Sequence, residues 1–203
     1  MKELFLDFAK KKVHSKTIVI ACGLPASCKT PIAEYIAQIK GHKILKTDLI
    51  RLEILKKEDV FDENVSADMK IRESVYEEMF SRARDFADKD EGVVMDATFI
   101  TQALRKKAAE IAERCGRDFI IIQTQCPEET CLRRISNRTR ENYESNALTE
   151  SAYLNNREKF QAVDLDDLKD LCPSINITHY LVDTTSDRAN EWFFIEPSDS
   201  AHP

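Results

Sequence analysis

Glycine is scarce in this chain, with four residues in 203, and tryptophan occurs once. There is no internal repeat and no low-complexity tract, which excludes repeat arrays and compositionally disordered chains. No apolar run approaches the ~20 residues that a membrane-spanning helix needs. The opening stretch MKELFLDFAKKKVHSK is too short and too interrupted by charge for a signal peptide. It reads as a short amphipathic helix carrying Leu4, Phe5 and Phe8, and a cytoplasmic protein without membrane partners is expected. The six cysteines (Cys22, Cys28, Cys115, Cys126, Cys131, Cys172) include no CxxC pair and no histidine partners at zinc-ligand spacing. They read as reduced thiols. The four histidines form no constellation. Positive charge is also in deficit: 30 Lys and Arg against 36 Asp and Glu give a net charge of −6. No global field is available to hold a long polyanion by counterion release, which leaves only a local basic patch.

What is present is a set of grouped apolar runs, with 42% hydrophobic and 33% charged residues overall. Residues 1–203 are expected to form one domain. TIVIAC after Lys16 is a continuous β-branched run of the kind that lies buried on both faces of a parallel sheet. Similar short runs follow at 42–45, 92–95, 119–123 and 177–182. Helical periodicity fills the intervals: PIAEYIAQIK, then 48–57, 67–88, 101–115, 128–137 and 150–162. Strands alternating with helices predict an α/β fold, a mostly parallel five-stranded sheet with helices on both faces. The polar stretch 136–149 reads as a lid, the tail 196–203 as frayed, and Trp192, Phe193 and Phe194 as an apolar patch anchoring the C-terminus.

Between the first strand and its helix lies Gly23-Leu24-Pro25-Ala26-Ser27-Cys28-Lys29-Thr30. It fits G-x-x-x-x-G-K-[ST] except that Cys28 stands at the second glycine. Such a loop turns backbone N–H groups toward phosphates, its lysine reaches the β and γ oxygens, and its hydroxyl ligates Mg²⁺. The following helix adds its positive end. The relaxed pattern arises by chance in about one chain in ten of this length, so the strand-to-helix context carries the assignment. Cys28 also stands at a helix N-terminus beside Lys29, a setting expected to favour its thiolate.

The segments IVIACGLPASCKT, KTDLIRLEIL, GVVMDATF and LRRISNRTR together resemble the P-loop kinases that include polynucleotide-kinase domains and zeta toxins. The resemblance spans about residues 17–183. It implies a three-layer P-loop fold binding ATP or GTP with Mg²⁺ through Gly23 to Thr30, with Thr30 and Asp96 at the metal. It further implies Asp48 as base and Arg51 as the phosphate-steadying partner, an i, i+3 pair on one helix face. Arg133, Arg134, Arg138 and Arg140 match the arginines that fold over the triphosphate, with Arg134 and Arg138 preferred because four residues apart share a helix face. Relatives carry glycine where this chain has Ala26 and Cys28.

The expected reaction is transfer of a γ-phosphate to a hydroxyl acceptor, with a small metabolite, a nucleoside and a 5′-hydroxyl polynucleotide all open. The alternative is a nucleotide-binding module of weak or no catalysis, suggested by the two missing glycines. A hydrolase or molecular switch lacks an evident water-positioning residue after Asp96.

Overall fold

Five successive apolar residues make the first strand, β1 (Ile18–Cys22), and all five are buried. Successive side chains of a strand point to opposite faces, so β1 feeds two separate cores. Ile18, Ile20 and Cys22 pack with Met95, Phe119 and Ile121, while Val19 and Ala21 pack with Val94, Ile120 and Ile122. A strand apolar on both faces needs helices on both, which gives the three layers expected from the sequence.

The computed structural model describes residues 3–55, 69–138 and 149–195. In chain order the helices are α1 (Phe5–Lys12), α2 (Lys29–Lys40), α3 (Thr47–Leu55), α4 (Met69–Asp88), α5 (Gln102–Arg114), α6 (Glu128–Ser136), α7 (Glu150–Lys159) and α8 (Leu165–Leu171). The strands after β1 are β2 (Lys43–Lys46), β3 (Val93–Asp96), β4 (Phe119–Gln125), β5 (Ile177–Asp183) and β6 (Phe193–Ile195). Ile50 of α3, Met79 and Phe80 of α4, Ala108 of α5 and Leu168 of α8 cover one face of the sheet. Phe5 and Phe8 of α1, Ile32 and Ile36 of α2, and Trp192 cover the other.

The strand order is β2-β3-β1-β4-β5-β6, parallel throughout except for β6, which runs antiparallel to β5. The sheet therefore has six strands where five were expected. The extra strand comes from the aromatic run: Phe194 packs 4.0 Å from Phe8 between ring centroids, and Trp192 Nε1 donates to the Ser186 carbonyl at 2.8 Å. The apolar anchor is thus an edge strand tied to α1. Helix α8 was not foreseen, because LDDLKDL is too short to show a period; it is started by Asp164, which accepts from Asp167 N. Helix α7 stops at Lys159, short of the expected end at 162, since Gln161 N donates to the Ile100 carbonyl at 2.8 Å instead of continuing the helix. The core of the expected lid, 139–148, and the tail 196–203 lie outside the described residues, as do the expected helical ends at 56–57 and 67–68.

Candidate active site

The loop after β1 is shaped by close approach. Gly23 sits at φ 139°, and a Cβ there would lie 2.2 Å from Thr124 Oγ1 and 2.9 Å from the Thr124 carbonyl oxygen. Only glycine fits. Ala26 and Cys28, the two residues standing where glycines were expected, have φ of 61° and 62°. Each therefore holds a left-handed conformation that costs a residue with a Cβ roughly 1–2 kcal/mol. Hydroxyls pin the loop against that strain: Ser27 Oγ donates to the Leu24 carbonyl at 2.7 Å and lies 2.5 Å from Thr124 Oγ1. Thr184 Oγ1 donates to the Ser27 carbonyl at 3.0 Å. The bends that glycines would make at no cost are here imposed by surrounding hydrogen bonds.

Asp96 ends β3 in register with Ala21 of β1 and Lys46 of β2. That register carries it to the start of α2, where Thr30 Oγ1 donates to Asp96 Oδ2 at 2.6 Å. Burial pushes the Asp96 carboxyl up to about 6, against the opposing pull of Lys29 and the Thr30 hydrogen bond. Lys29 Nζ donates to the Leu24 carbonyl at 2.8 Å. Burial lowers the pKa of its ammonium, with Asp96 acting the other way. The thiolate expectation for Cys28 is overturned: burial raises its pKa, and this outweighs both Arg134 and Lys29.

These groups open onto a cleft of ≈ 690 Å³ whose lining also includes Asp48, Arg51, Arg134 and Arg138. Asp48 and Arg51 come from the first turns of α3, which starts directly at the end of β2; Arg51 is buried. Helix α6 ends at Ser136, so Arg138 lies beyond it and does not share a helix face with Arg134 as expected. The Arg134 guanidinium is committed to protein: it donates to Asp187 Oδ1 at 2.9 Å, to the carbonyls of Ala26, Thr184, Thr185 and Ser186, and to Cys126 Sγ. It organises the loop wall from behind. Arg140 lies outside the described residues.

A magnesium–triphosphate group fits this donor set. Gly23 leaves the room a Cβ would fill, and the first turn of α2 faces the cleft. The Thr30 hydroxyl and Asp96 carboxylate are the hard oxygens Mg²⁺ takes alongside phosphate and water. Among the described residues no three His, Cys, Asp or Glu converge on a metal position, so phosphate and water oxygens would complete the shell. Sequence reasoning missed Thr124, Thr184 and Asp187. The first two stand, like Asp96, at or just past a strand's carboxyl end, where ligands of open parallel sheets gather, and that position was the available signal.

The fold is that of P-loop kinase structures. The chain belongs to the AAA domain family, whose model matches residues 18–163. Among solved structures it is similar to a gluconokinase from Sinorhizobium meliloti 1021, at 18% identity and TM-score 0.57 over 86% of each chain. It is also similar to a sugar kinase from Janibacter sp. HTCC2649, at 16% identity and TM-score 0.58 over 84% of this chain and 86% of that one. The AvrRxo1-ORF1:-ORF2 structure with ATP matches at 15% identity and TM-score 0.56, over 94% of this chain and 60% of that one. No curated protein matches the chain in sequence.

Proposed function

We propose that the protein is a phosphotransferase that moves the γ-phosphate of ATP or GTP to a hydroxyl acceptor. The observation that carries this reading is the meeting of Lys29, the Thr30–Asp96 pair at 2.6 Å and Asp48 in one cleft at the carboxyl edge of the sheet. A binding module needs the first three; it has no use for a carboxylate facing them from α3. Gly23 to Thr30 cradle the phosphates, and Lys29 Nζ exchanges the Leu24 carbonyl for β and γ oxygens. Thr30 and Asp96 would hold Mg²⁺, which when bound offsets phosphate charge. Asp48 takes the proton from the acceptor hydroxyl, and Arg51 and Arg138 face the charge that builds on the transferring group. Transfer needs little covalent help from protein, so positioning and charge carry the rate.

The TDLIR segment and the arginines around Arg138 favour the polynucleotide-kinase and zeta-toxin branch, with a phosphorylated or nucleoside-like acceptor, whereas the net charge of −6 speaks against a long polyanion. Gluconokinase and sugar kinase likenesses put sugars and sugar acids beside these. The deciding experiment is an ATP- and GTP-consumption screen over pooled hydroxyl acceptors, including sugar acids, nucleosides and a 5′-hydroxyl oligonucleotide, with Lys29→Ala as control. Acceptor-dependent consumption that Lys29→Ala abolishes is expected. Nucleotide binding with no acceptor-dependent consumption across the pools would return the chain to a binding module. No binding at millimolar nucleotide with Mg²⁺ would remove both readings.

A further inference from the structure

Helix α6 is capped at Pro127, so Cys126 is the residue just before its cap and Cys131 is its fourth residue. Side chains at these two positions normally meet as a hydrophobic staple that fixes how the chain enters a helix. Here the staple consists of two thiols. Cys131 is fully buried against Ala26 of the phosphate loop and Tyr153, and its Sγ makes a weak contact with the Cys126 carbonyl at 4.0 Å. Cys126 is partly exposed, and Arg134 Nη1 lies 3.3 Å from its Sγ. The same Nη1 donates to the Ala26 carbonyl at 3.3 Å, so one guanidinium joins the thiol to the phosphate loop.

We propose that Cys126 and Cys131 form a redox-sensitive dithiol, which a peroxide oxidises to an intramolecular disulfide that loosens the phosphate loop and weakens nucleotide binding. The effect on nucleotide rests on the nucleotide-binding reading above; formation of the disulfide does not. The neighbouring Cys126 thiol draws the Cys131 pKa down, with Arg134 and Lys29 adding to the effect, while the presence of Cys131 and burial push Cys126 up. The other thiols lack this setting. Burial raises Cys22 to about 12 and lifts Cys28 and Cys172 as well.

The chemistry balances with a peroxide as oxidant. As the Cys126 sulfur, partly exposed beside Arg134, attacks a peroxide oxygen, its proton passes to the Cys131 thiolate. The S–O bond forms as O–O breaks, giving a sulfenic acid and hydroxide, and the hydroxide takes the proton from Cys131 to become water. The Cys131 thiolate then attacks the Cys126 sulfur and expels hydroxide as the disulfide forms. Closing the S–S bond to about 2.0 Å draws Cys126 Sγ off Arg134 and shifts Cys131 against Ala26. Ala26 holds a left-handed conformation only because its surroundings impose it, so this wall is where a small displacement reaches the phosphate cradle.

The test uses the full chain. After mild hydrogen peroxide treatment, alkylation without reductant and trypsin digestion, the peptide Asp118–Arg133 carries both cysteines, so the link registers as that peptide unalkylated and lighter by two hydrogens. Calorimetric titration with ATP and Mg²⁺ follows on reduced, oxidised and re-reduced protein. The expected result is the linked peptide in wild type and in Cys28→Ser. Affinity should be about tenfold weaker on oxidation, the equivalent of one charge-assisted hydrogen bond, and should recover with dithiothreitol. Cys126→Ser, which leaves Arg134 an acceptor, should bind ATP like reduced wild type and ignore peroxide. A doubly alkylated Asp118–Arg133 peptide after oxidation, a link formed by Cys28 instead, or a complete disulfide with unchanged affinity would each overturn the proposal. Failure of reduced protein to bind any nucleotide would instead sink the functional reading and the regulatory half of this one, while the peptide map still decides the disulfide.

Discussion

At the scale of single residues, the proposed reaction assigns the holding of phosphate and the movement of a proton to different groups of the cleft. Asp48 lines the same cleft as Lys29, and its charge acts on that lysine. As the proposed general base it would contribute about 10²–10⁴-fold to rate and little to holding nucleotide. Asp48→Asn should therefore lower turnover on the acceptor by that factor with ATP affinity near wild type, checked by steady-state kinetics beside calorimetry. Turnover within a few-fold of wild type would reduce Asp48 to a helix-start residue, because Asn and Asp serve comparably there. Gly23 and Ala26 make a second contrast. Gly23→Ala forces a Cβ to 2.2 Å from Thr124 Oγ1 at a φ of 139°, so overpacking and strain together should cost about 2–5 kcal/mol. Ala26→Gly relieves about 1–2 kcal/mol of strain. Against that stand about 0.5–1 kcal/mol of backbone entropy and about 0.8 kcal/mol for a buried methyl. Its stability should stay within about 1 kcal/mol of wild type. Urea midpoints of the two variants decide this, and a large gain for Ala26→Gly would show that strain in the loop is still uncompensated.

At the scale of elements, the phosphate loop depends on strands it does not adjoin in sequence. Thr184, just past β5, is fully buried and donates to both the Ser27 and Gln125 carbonyls. Thr184→Val keeps the shape, removes the donor and leaves the buried Ser27 carbonyl short of a partner, while the Gln125 carbonyl keeps the backbone N–H of residue 184; this should cost about 1–3 kcal/mol. If the pin matters to the site, nucleotide affinity falls with it; stability lost at unchanged affinity would show that the loop is held by Thr124 and Ser27 alone. Such pins mark the limit of what the sequence discloses. Strand β1, the loop, helix α2 and Asp96 were legible because each carries a local pattern: an apolar run, a spacing, a period, a charge closing a run. Thr124 and Thr184 carry none, since a lone threonine past a strand has no period and its partner lies across the sheet. Arg105 is the sharper case. It belongs to no motif, yet it is fully buried and its guanidinium donates to the carbonyls of Gln161 and Ala162 at 2.6 and 2.9 Å. Those contacts exist only once α7 has ended, which also explains why that end was misplaced by the helical pattern. Strand β6 was hidden for a related reason: Phe193–Ile195 is too short to alternate visibly, and its pairing to β5 is supported by α1 from the far end of the chain.

At the scale of the whole molecule, the sheet carries a titrating group that links stability to pH away from the cleft. His179 of β5 pairs across to Gln123 Oε1 of β4 at 3.0 Å, with Arg105 of α5 on the same face. Burial, with the Arg105 charge adding to it, depresses the His179 pKa from 6.5 to about 4. The folded state thus binds this proton less readily than the unfolded chain, and stability rises with pH wherever the unfolded state holds more protons. The contribution is complete above pH 6.5 and is lost as pH falls from there toward 4. A depression of this size is worth up to about 3 kcal/mol at neutral pH. His179→Gln keeps a side chain that can bond Gln123 and cannot titrate. Urea unfolding of wild type and variant at several pH values between 4 and 7.5 isolates the effect, because every other titrating group, Asp96 included, is common to both. The difference in stability between them should be flat above pH 6.5 and should move by up to about 3 kcal/mol in the variant's favour as pH falls to 4. Parallel curves across that range would mean that His179 takes up its proton in the fold as readily as outside it, and that the β4–β5 face around Arg105 admits water.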